Sequence, residues 1–521
     1  VRAVAAMPAA SLAKSKRLRP LRAALTPLVW RALERSGHDA TEGAGAKEAA
    51  RRAQRRKANR EKQRLAAAAR ADAELCRLRQ SRRDRLEVVK ASNANPEVSA
   101  LMVPDGYTDE ALQQGDDDEE EGLGEETSRL QDSQQLVACY SCRRRHSTQH
   151  AFYGAAFCEA CAALNWEKRS QRVDLSEDFT AVVTGGRVKI GHCVALKLLR
   201  CGARVLVTTR FPADALARFG AAPDFAEFRA RLGVCGVDFR DLRAVEAFAD
   251  YVDRRLDRGL DLLVNNASQT VRRPRGAYKD LLRVELETVE RLKSSSSSSG
   301  GAMTAGDSSC RFRRVTPTLT TLSTTSSSVV VLDEDLASRS ALARFFPEGC
   351  VDASGQPLDA RNRNSWTMTL ADVPLGEAAE CFAINALAPL SLCSRLKPTL
   401  QRKARAFVIN VSAMEAKFHR LKTFYHPHTN AAKAALNMLT RTSAADYARD
   451  CIFMSSVDTG WVNDERPLPD ASRIHRDHHF QTPIDEVDGA ARILDPVFSV
   501  LSAEKEPFFG LFREDYEPTD W

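Results

Sequence analysis

No window of about 18 uninterrupted apolar residues occurs in this 521-residue chain, so a membrane-spanning helix is not expected. Disulfide-framework spacing is absent too. Of thirteen cysteines, four form one tight cluster and nine are scattered singly, the usage of a reducing compartment. The expectation is a soluble, cytoplasmic protein. A strong excess of one charge is also missing. The formal net charge is +7, and it conceals a segregation: residues 14 to 90 are rich in Arg and Lys, whereas Asp116 to Glu121 is an unbroken acidic run. That excludes a uniform nucleic-acid binder. Acids are lacking before Glu34, where the Ala-, Arg- and Ser-rich opening has the bias of an organelle import peptide. A disordered basic arm has the same composition, so both readings stay open.

Residues 1–135 read as a basic helical and acidic linker region, largely disordered. Within it, Ala46 to Val89 is almost all strong helix formers with interleaved charges and few large apolar residues, which predicts a solvated helix. Contact of this arm with an acidic protein or RNA is the functional alternative, although no aromatic residues stand among its charges. A second biased block starts at Ser294. Its Ser/Thr/Gly composition cannot offset the entropy of ordering, so residues 294 to about 360 are expected to loop out of the fold as an insertion.

Between these lies residues 136–172, where Cys139 and Cys142 are followed, after fifteen residues, by Cys158 and Cys161. Two C-x2-C knuckles suit the corners of a tetrahedron, so these four residues are expected to hold a structural zinc ion with no open catalytic position. His146 and His150 in the intervening loop could replace a cysteine, but exposed loop histidines are the plainer reading.

From residue 173 to 515 short β-branched runs alternate with amphipathic helical segments. "TAVVTGG", "ARVLVTT", "GVCGVDF", "LDLLVNNAS", "RAFVINVSA" and "IFMSSVDTG" are strand candidates. The alternation predicts an α/β fold, a doubly wound parallel sheet of Rossmann type, preceded by the small zinc knuckle segment and the charged region. Ligands bind such sheets at the carboxyl ends of the strands. The first turn holds Thr184, Gly185, Arg187, Lys189, Ile190 and Gly191, with Lys189 where a phosphate-binding loop usually has its middle glycine. The second strand ends in Thr209 and Arg210. An acid lost and a cation gained there favour the 2′-phosphate of NADP.

Later landmarks follow in order: Asp238, then Asn265, Asn266 and Ala267 in "NNAS", Asn385, Ser412 and Lys433. With "TGGRVKIG" these make the chain resemble the short-chain dehydrogenase/reductase family over roughly residues 175 to 515, the insertion removed. It is similar to a divergent branch with "QTVRRP" and "HPHTN" and an N-terminal cysteine segment. The resemblance implies that Asp238 bonds the adenine, Lys433 the nicotinamide ribose, Ser412 the substrate oxygen, and that Asn385 positions a relay water. It also implies a homo-oligomer, since many relatives pair through the helices flanking the fifth strand.

The family's tyrosine stands four residues before the lysine, and here that position is Thr429. One helical turn keeps Thr429 and Lys433 on a shared face, but an aliphatic hydroxyl cannot act as an acid near neutrality. Two substitutes lie nearby: Tyr425, expected in the loop before Pro427, and His428. Arg272 and Arg273 are expected near the cleft entrance, where an anionic substrate is one reading and solvated arginines the other. Trp461 either faces the nicotinamide or packs. The resemblance thus implies an NADP(H)-dependent oxidoreductase acting on a small hydroxyl or carbonyl compound. The alternative is a catalytically silent NADP(H)-binding sensor or scaffold.

Overall fold

All six strand candidates form strands, and they are neighbours in one sheet. In the computed structural model residues 76–92, 136–297, 335, 342–352, 354–419, 422–478, 481–503 and 505–521 are described. The strands are β1 (Val137–Ala138), β2 (Arg145–His146), β3 (Thr180–Val183), β4 (Arg204–Thr209), β5 (Leu232–Gly236), β6 (Leu262–Asn265), β7 (Ala406–Ser412), β8 (Ile452–Asp458), β9 (Phe512–Glu514) and β10 (Glu517–Thr519). The helices used below are α1 (Arg77–Ser92), α2 (Glu159–Ser170), α3 (Lys189–Arg200), α4 (Pro212–Gly220), α5 (Leu242–Arg255), α6 (Lys279–Ser297), α7 (Leu375–Phe382), α8 (Ala388–Gln401), α9 (Pro427–Ala448), α10 (Leu468–His478) and α11 (Glu486–Leu501).

β1 and β2 make a small antiparallel pair. The other eight strands form one sheet in the order β10-β9-β8-β7-β6-β3-β4-β5, parallel except where β10 returns against β9. The order reverses between β3 and β6, which are hydrogen-bonded to each other, and this switch point opens the ligand crevice at the carboxyl ends. The strands carry near-continuous apolar runs because both sheet faces are covered. On one face Val194, Leu198 and Leu199 of α3 and Ile493, Val497 and Phe498 of α11 pack on β3, β4 and β7. On the other, α5 and α8 contribute Val245, Phe248, Leu392 and Leu396. Each such side chain, fully buried, contributes about 1.5–3 kcal/mol. Asp241 caps α5 by accepting from the backbone of Arg243 and Ala244, and Asp485 forms a capping box with Asp488 at α11.

Three expectations change in the packed chain. The last part of the supposed insertion is folded: Phe346, Cys350 and Leu358 are buried, because enough apolar residues follow the Ser/Thr tract to dock it. Residues 298–334 lie outside the described residues. The basic helix is not wholly solvated either, since Cys76 and Leu78 at its start are buried against the cysteine segment. The remainder of the arm, residues 1–75, and the acidic linker, residues 93–135, lie outside the described residues, as does any import peptide. Finally β9 and β10, unread in the sequence, complete the sheet; three residues each are too short for a periodic signal. Among the described residues no helix is long and apolar enough to cross a membrane.

Candidate active site

The loop between β3 and α3 is built by its small residues. Gly185 has φ of +69°, and a side chain there would bring its Cβ within 2.9 Å of Ala267. Thr184 Oγ1 accepts from the backbone N–H of both Asn266 and Ala267 at 2.9 Å, stitching this loop to the end of β6. Asn266 Nδ2 donates to the Thr184 carbonyl at 2.9 Å, so its role is to shape the loop. At the N-terminus of α3, Val188 offers no capping side chain, and among the described residues no side chain accepts from the first-turn N–H groups. That open helix end on a tight loop is suited to a pyrophosphate. Lys189 begins the helix with φ of +54°, and its Nζ is 3.1 Å from Glu465. Arg187 is paired with Asp214 at 2.6 Å. Both cations expected to face phosphate therefore carry carboxylate partners. Ile190 turns away into the apolar cluster of the cysteine segment.

Arg210 differs. It lies at the end of β4 over the rings of Tyr278, at 4.4 Å, and Phe211, at 5.3 Å, with no ion pair among the described residues. Burial would raise the Tyr278 phenol, but Arg210, Arg273 and Arg240 outweigh it and bring it down to about 8. The surroundings of Arg210 are thus strongly positive. Thr209 accepts from the Phe211 N–H at 3.1 Å and brings no competing charge. Asp238 is gripped by Arg240 at 2.6 Å, which holds its carboxyl below the usual range despite burial. A cleft of about 340 Å³ lined by Arg187, Val188, Lys189 and Arg218 opens beside this loop. Ser412 and Lys433 lie outside that lining.

On the reacting side, the Ser412 Oγ is buried and has no hydrogen-bond partner among the described residues. Lys433 Nζ donates to the Val411 carbonyl at 2.7 Å, and burial brings its pKa down to about 8. Asn385 sits on a single π-helical turn, Ala383–Leu387, between α7 and α8. Its Oδ1 accepts from the Gln269 N–H at 2.7 Å and its Nδ2 donates to the Gln269 carbonyl at 3.1 Å. Asn265 is a core residue: buried, it donates to Asn410 Oδ1 at 2.8 Å across β6 and β7.

Helix α9 starts at Pro427, whose ring disfavours right-handed helix at the preceding residue, and His426 there is left-handed. Thr429 is buried, and Cys381 Sγ lies 4.0 Å from its Oγ1. Tyr425 is 37% exposed in the preceding loop, its ring tilted against Phe424, and makes no hydrogen bond among the described residues. His428 is buried, which lowers its pKa, and its Nε2 is 3.7 Å from Glu377. A neutral ring at that separation is in contact with Glu377 without bonding to it.

Sequence reasoning missed the carboxyls. Asp458 ends β8 in register with Ser412, and register partners on parallel strands project from the same face. Buried, with its Oδ1 accepting from the Gly460 N–H at 2.8 Å, Asp458 is raised to about 6 by desolvation and by Glu415 and Glu514. Glu415, three residues past Ser412, is also raised by burial, and Lys433 acts on it in the opposite sense. The signal for Asp458 was present in "SVDTG", since polar residues at strand ends are site candidates. Cys381, held among Thr429, Asn385 and Lys433, carried no signal of its own.

Arg272 is a correction. It is 2% exposed and locked to Glu380 at 3.0 Å and to Asp335, so it is unavailable to an anionic substrate. Arg273 is paired with Asp352 at 3.5 Å.

The sulfurs of Cys139, Cys142, Cys158 and Cys161 all lie within 4.8 Å of one another, and none is in a disulfide. Cys142 Sγ and Cys158 Sγ are 3.6 Å apart. A zinc–sulfur bond of about 2.3 Å gives tetrahedral edges of about 3.8 Å, so the donor set fits that ion. His146 and His150 lie outside this sulfur cluster, and their Nδ1 atoms accept from nearby backbone N–H groups.

Comparison with known proteins agrees with the landmark order. A family profile described as short chain dehydrogenase matches residues 179–292, and one described as enoyl-(acyl carrier protein) reductase matches residues 360–504. An uncharacterized protein of Acanthamoeba polyphaga mimivirus is 30% identical over 371 residues, covering 69% of this chain and 71% of that protein. The C-signal protein of Myxococcus xanthus is 29% identical over 126 residues, 24% of this chain and 71% of its own. A solved NADPH-bound carbonyl reductase from chicken fatty liver aligns with a TM-score of 0.39 and 20% identity, over 67% of this chain and 100% of that one.

Proposed function

The chain belongs to the short-chain dehydrogenase/reductase family, and from that premise we propose that it is an NADP(H)-dependent oxidoreductase interconverting a hydroxyl and a carbonyl on a small substrate. The observation that carries this reading is the unpartnered, buried Ser412 Oγ beside Lys433 and Asp458 at the carboxyl edge of the sheet. Thr184, Gly185 and Gly191 would form the pyrophosphate loop, with Asn266 and Ala267 as its far wall. Arg210, which makes no ion pair among the described residues, would hold the 2′-phosphate, and Lys433 the nicotinamide ribose. When bound, the nicotinamide supplies or takes the hydride.

Ser412 Oγ is free to donate to the substrate oxygen. Proton transfer falls to Asp458, because Thr429 cannot ionise near neutrality and a carboxyl raised to about 6 can both give and take a proton there. In the direction of reduction Asp458 would give its proton to the substrate oxygen, and would be reprotonated from water. Asn385 is fixed by the Gln269 backbone and would position a relay water. A structural zinc ion bound by the four cysteines completes the reading.

The test is reduction of a panel of carbonyl compounds with NADPH, followed at the nicotinamide absorbance. Turnover lost in Ser412→Ala and Asp458→Asn with NADPH binding retained supports the reading. Loss in Tyr425→Phe or His428→Asn, with Asp458→Asn active, transfers the proton role to that ring. No turnover on any compound overturns the enzyme.

A further inference from the structure

The cysteine segment does more in this fold than stand beside the sheet. Tyr140, between the first two cysteines, accepts the backbone N–H of Trp461 at 2.8 Å. Val462 and Ile484 are buried in the same apolar cluster as Cys139, Tyr153 and Phe157. Arg492, fully buried on α11, donates to the Thr459 carbonyl at 3.0 Å and to Asn165 of α2 at 3.2 Å. At the other end, Arg82 of α1 donates to the carbonyls of Thr482 and Ile484, both at 2.6 Å. Thr459–Val462 and Thr482–Ile484 are the two ends of the stretch that carries α10. The first end follows Asp458 directly.

The cysteine segment itself is anchored from below. Tyr153 Oη donates to Asp488 at 2.7 Å, and Arg169 makes a paired contact with Asp485 at 2.6 and 2.9 Å. Its regular structure besides α2 is two strands of two residues each. So small a unit cannot bury enough surface to fix its own backbone, and metal binding would supply that free energy.

We propose that the four-cysteine metal unit is a clamp: zinc fixes the knuckle that carries Tyr140, and the knuckle in turn fixes the Thr459–Val462 end of the α10 stretch, next to Asp458, and packs on Ile484 at its other end. It rests on the zinc reading above and adds a task for the ion, positioning of residues that adjoin Asp458. Tyr140 and Val462 are positioning residues in this scheme.

The test uses the full chain. Zinc content is measured on purified protein, and amide hydrogen exchange is compared before and after removal of the metal by a chelator. One zinc per chain is expected, with exchange at 459–462 and 482–484 accelerated on its removal while β6 and β7 stay protected. Tyr140→Phe should keep zinc yet accelerate exchange at Trp461 by about tenfold, the worth of one hydrogen bond. Purified protein without zinc, its four thiols freely reactive, overturns the zinc reading and the clamp with it. Zinc present, with exchange unchanged in Tyr140→Phe, overturns the clamp alone, even if stripping the metal unfolds more of the chain.

Discussion

Ser412 and Asp458 are register partners at the carboxyl ends of β7 and β8, both buried, one with a bare hydroxyl and the other with a carboxyl raised to about 6. The position of the family's tyrosine is held by Thr429 on α9. Asp458→Asn keeps the shape and the Gly460 contact but removes the proton. It is expected to lower kcat by about 10²- to 10⁴-fold, the usual contribution of general acid–base catalysis, with KM for NADPH nearly unchanged. Steady-state kinetics on any carbonyl substrate found in the panel checks this.

The same carboxyl sets a pH dependence with a definite sign. Desolvation, Glu415 and Glu514 push it up, against the Gly460 N–H and Arg492, and the result is about 6. Reduction needs the protonated form, so its rate should fall as pH rises through that value. Oxidation needs the carboxylate and should rise over the same interval. A profile of reduction that is flat there in the wild type removes Asp458 from the mechanism.

Arg210→Ala should discriminate between the two dinucleotides. Loss of a charge-assisted contact to the 2′-phosphate is expected to weaken NADPH by about 10- to 100-fold, with NADH affected little. Fluorescence titration with each cofactor measures the ratio. Equal losses for both would mean that Arg210 shapes the pocket through Tyr278 alone.

Lys189 is engaged by Glu465 at 3.1 Å, so its charge is partly neutralised before any phosphate arrives. Glu465→Gln should free the ammonium, tighten NADPH by several-fold, and steepen the salt dependence of binding. A weaker complex would show that Glu465 matters for the position of its own stretch.

Restoring the family residue should not come free of strain. Thr429 is buried beneath Cys381, and Thr429→Tyr adds a ring where no space is evident. Overpacking of this kind costs about 1–3 kcal/mol, visible as a lower midpoint in thermal or urea unfolding. Unchanged stability with faster turnover would mean that the ring reaches the site that Asp458 is assigned.

How much could be read in advance depended on whether the signal was local. The strand ends announced themselves because β-branched runs that stop in small polar residues give a period and a boundary together. That made Thr184, Gly185 and Ser412 legible, while Lys433, on α9, was legible through the family resemblance and the four cysteines through their spacing. Asp458 stood at the end of a strand candidate, but spacing alone does not separate one carboxyl at a strand end from a surface acid. Charge partners were not legible: Arg187 with Asp214, Lys189 with Glu465, and Arg272 with Glu380 and Asp335 join residues tens to hundreds of positions apart.

Sequence by itself therefore determined the order of strands and helices, the small residues of the cofactor loop and the four-sulfur cluster, because each depends on periodicity or short spacing. Tertiary structure decided which cations remain open, where Tyr425 and His428 stand, and that the cysteine segment grips the loop after β8. These are properties of burial and pairing between distant parts of the chain, and they exist only once the sheet has brought those parts together.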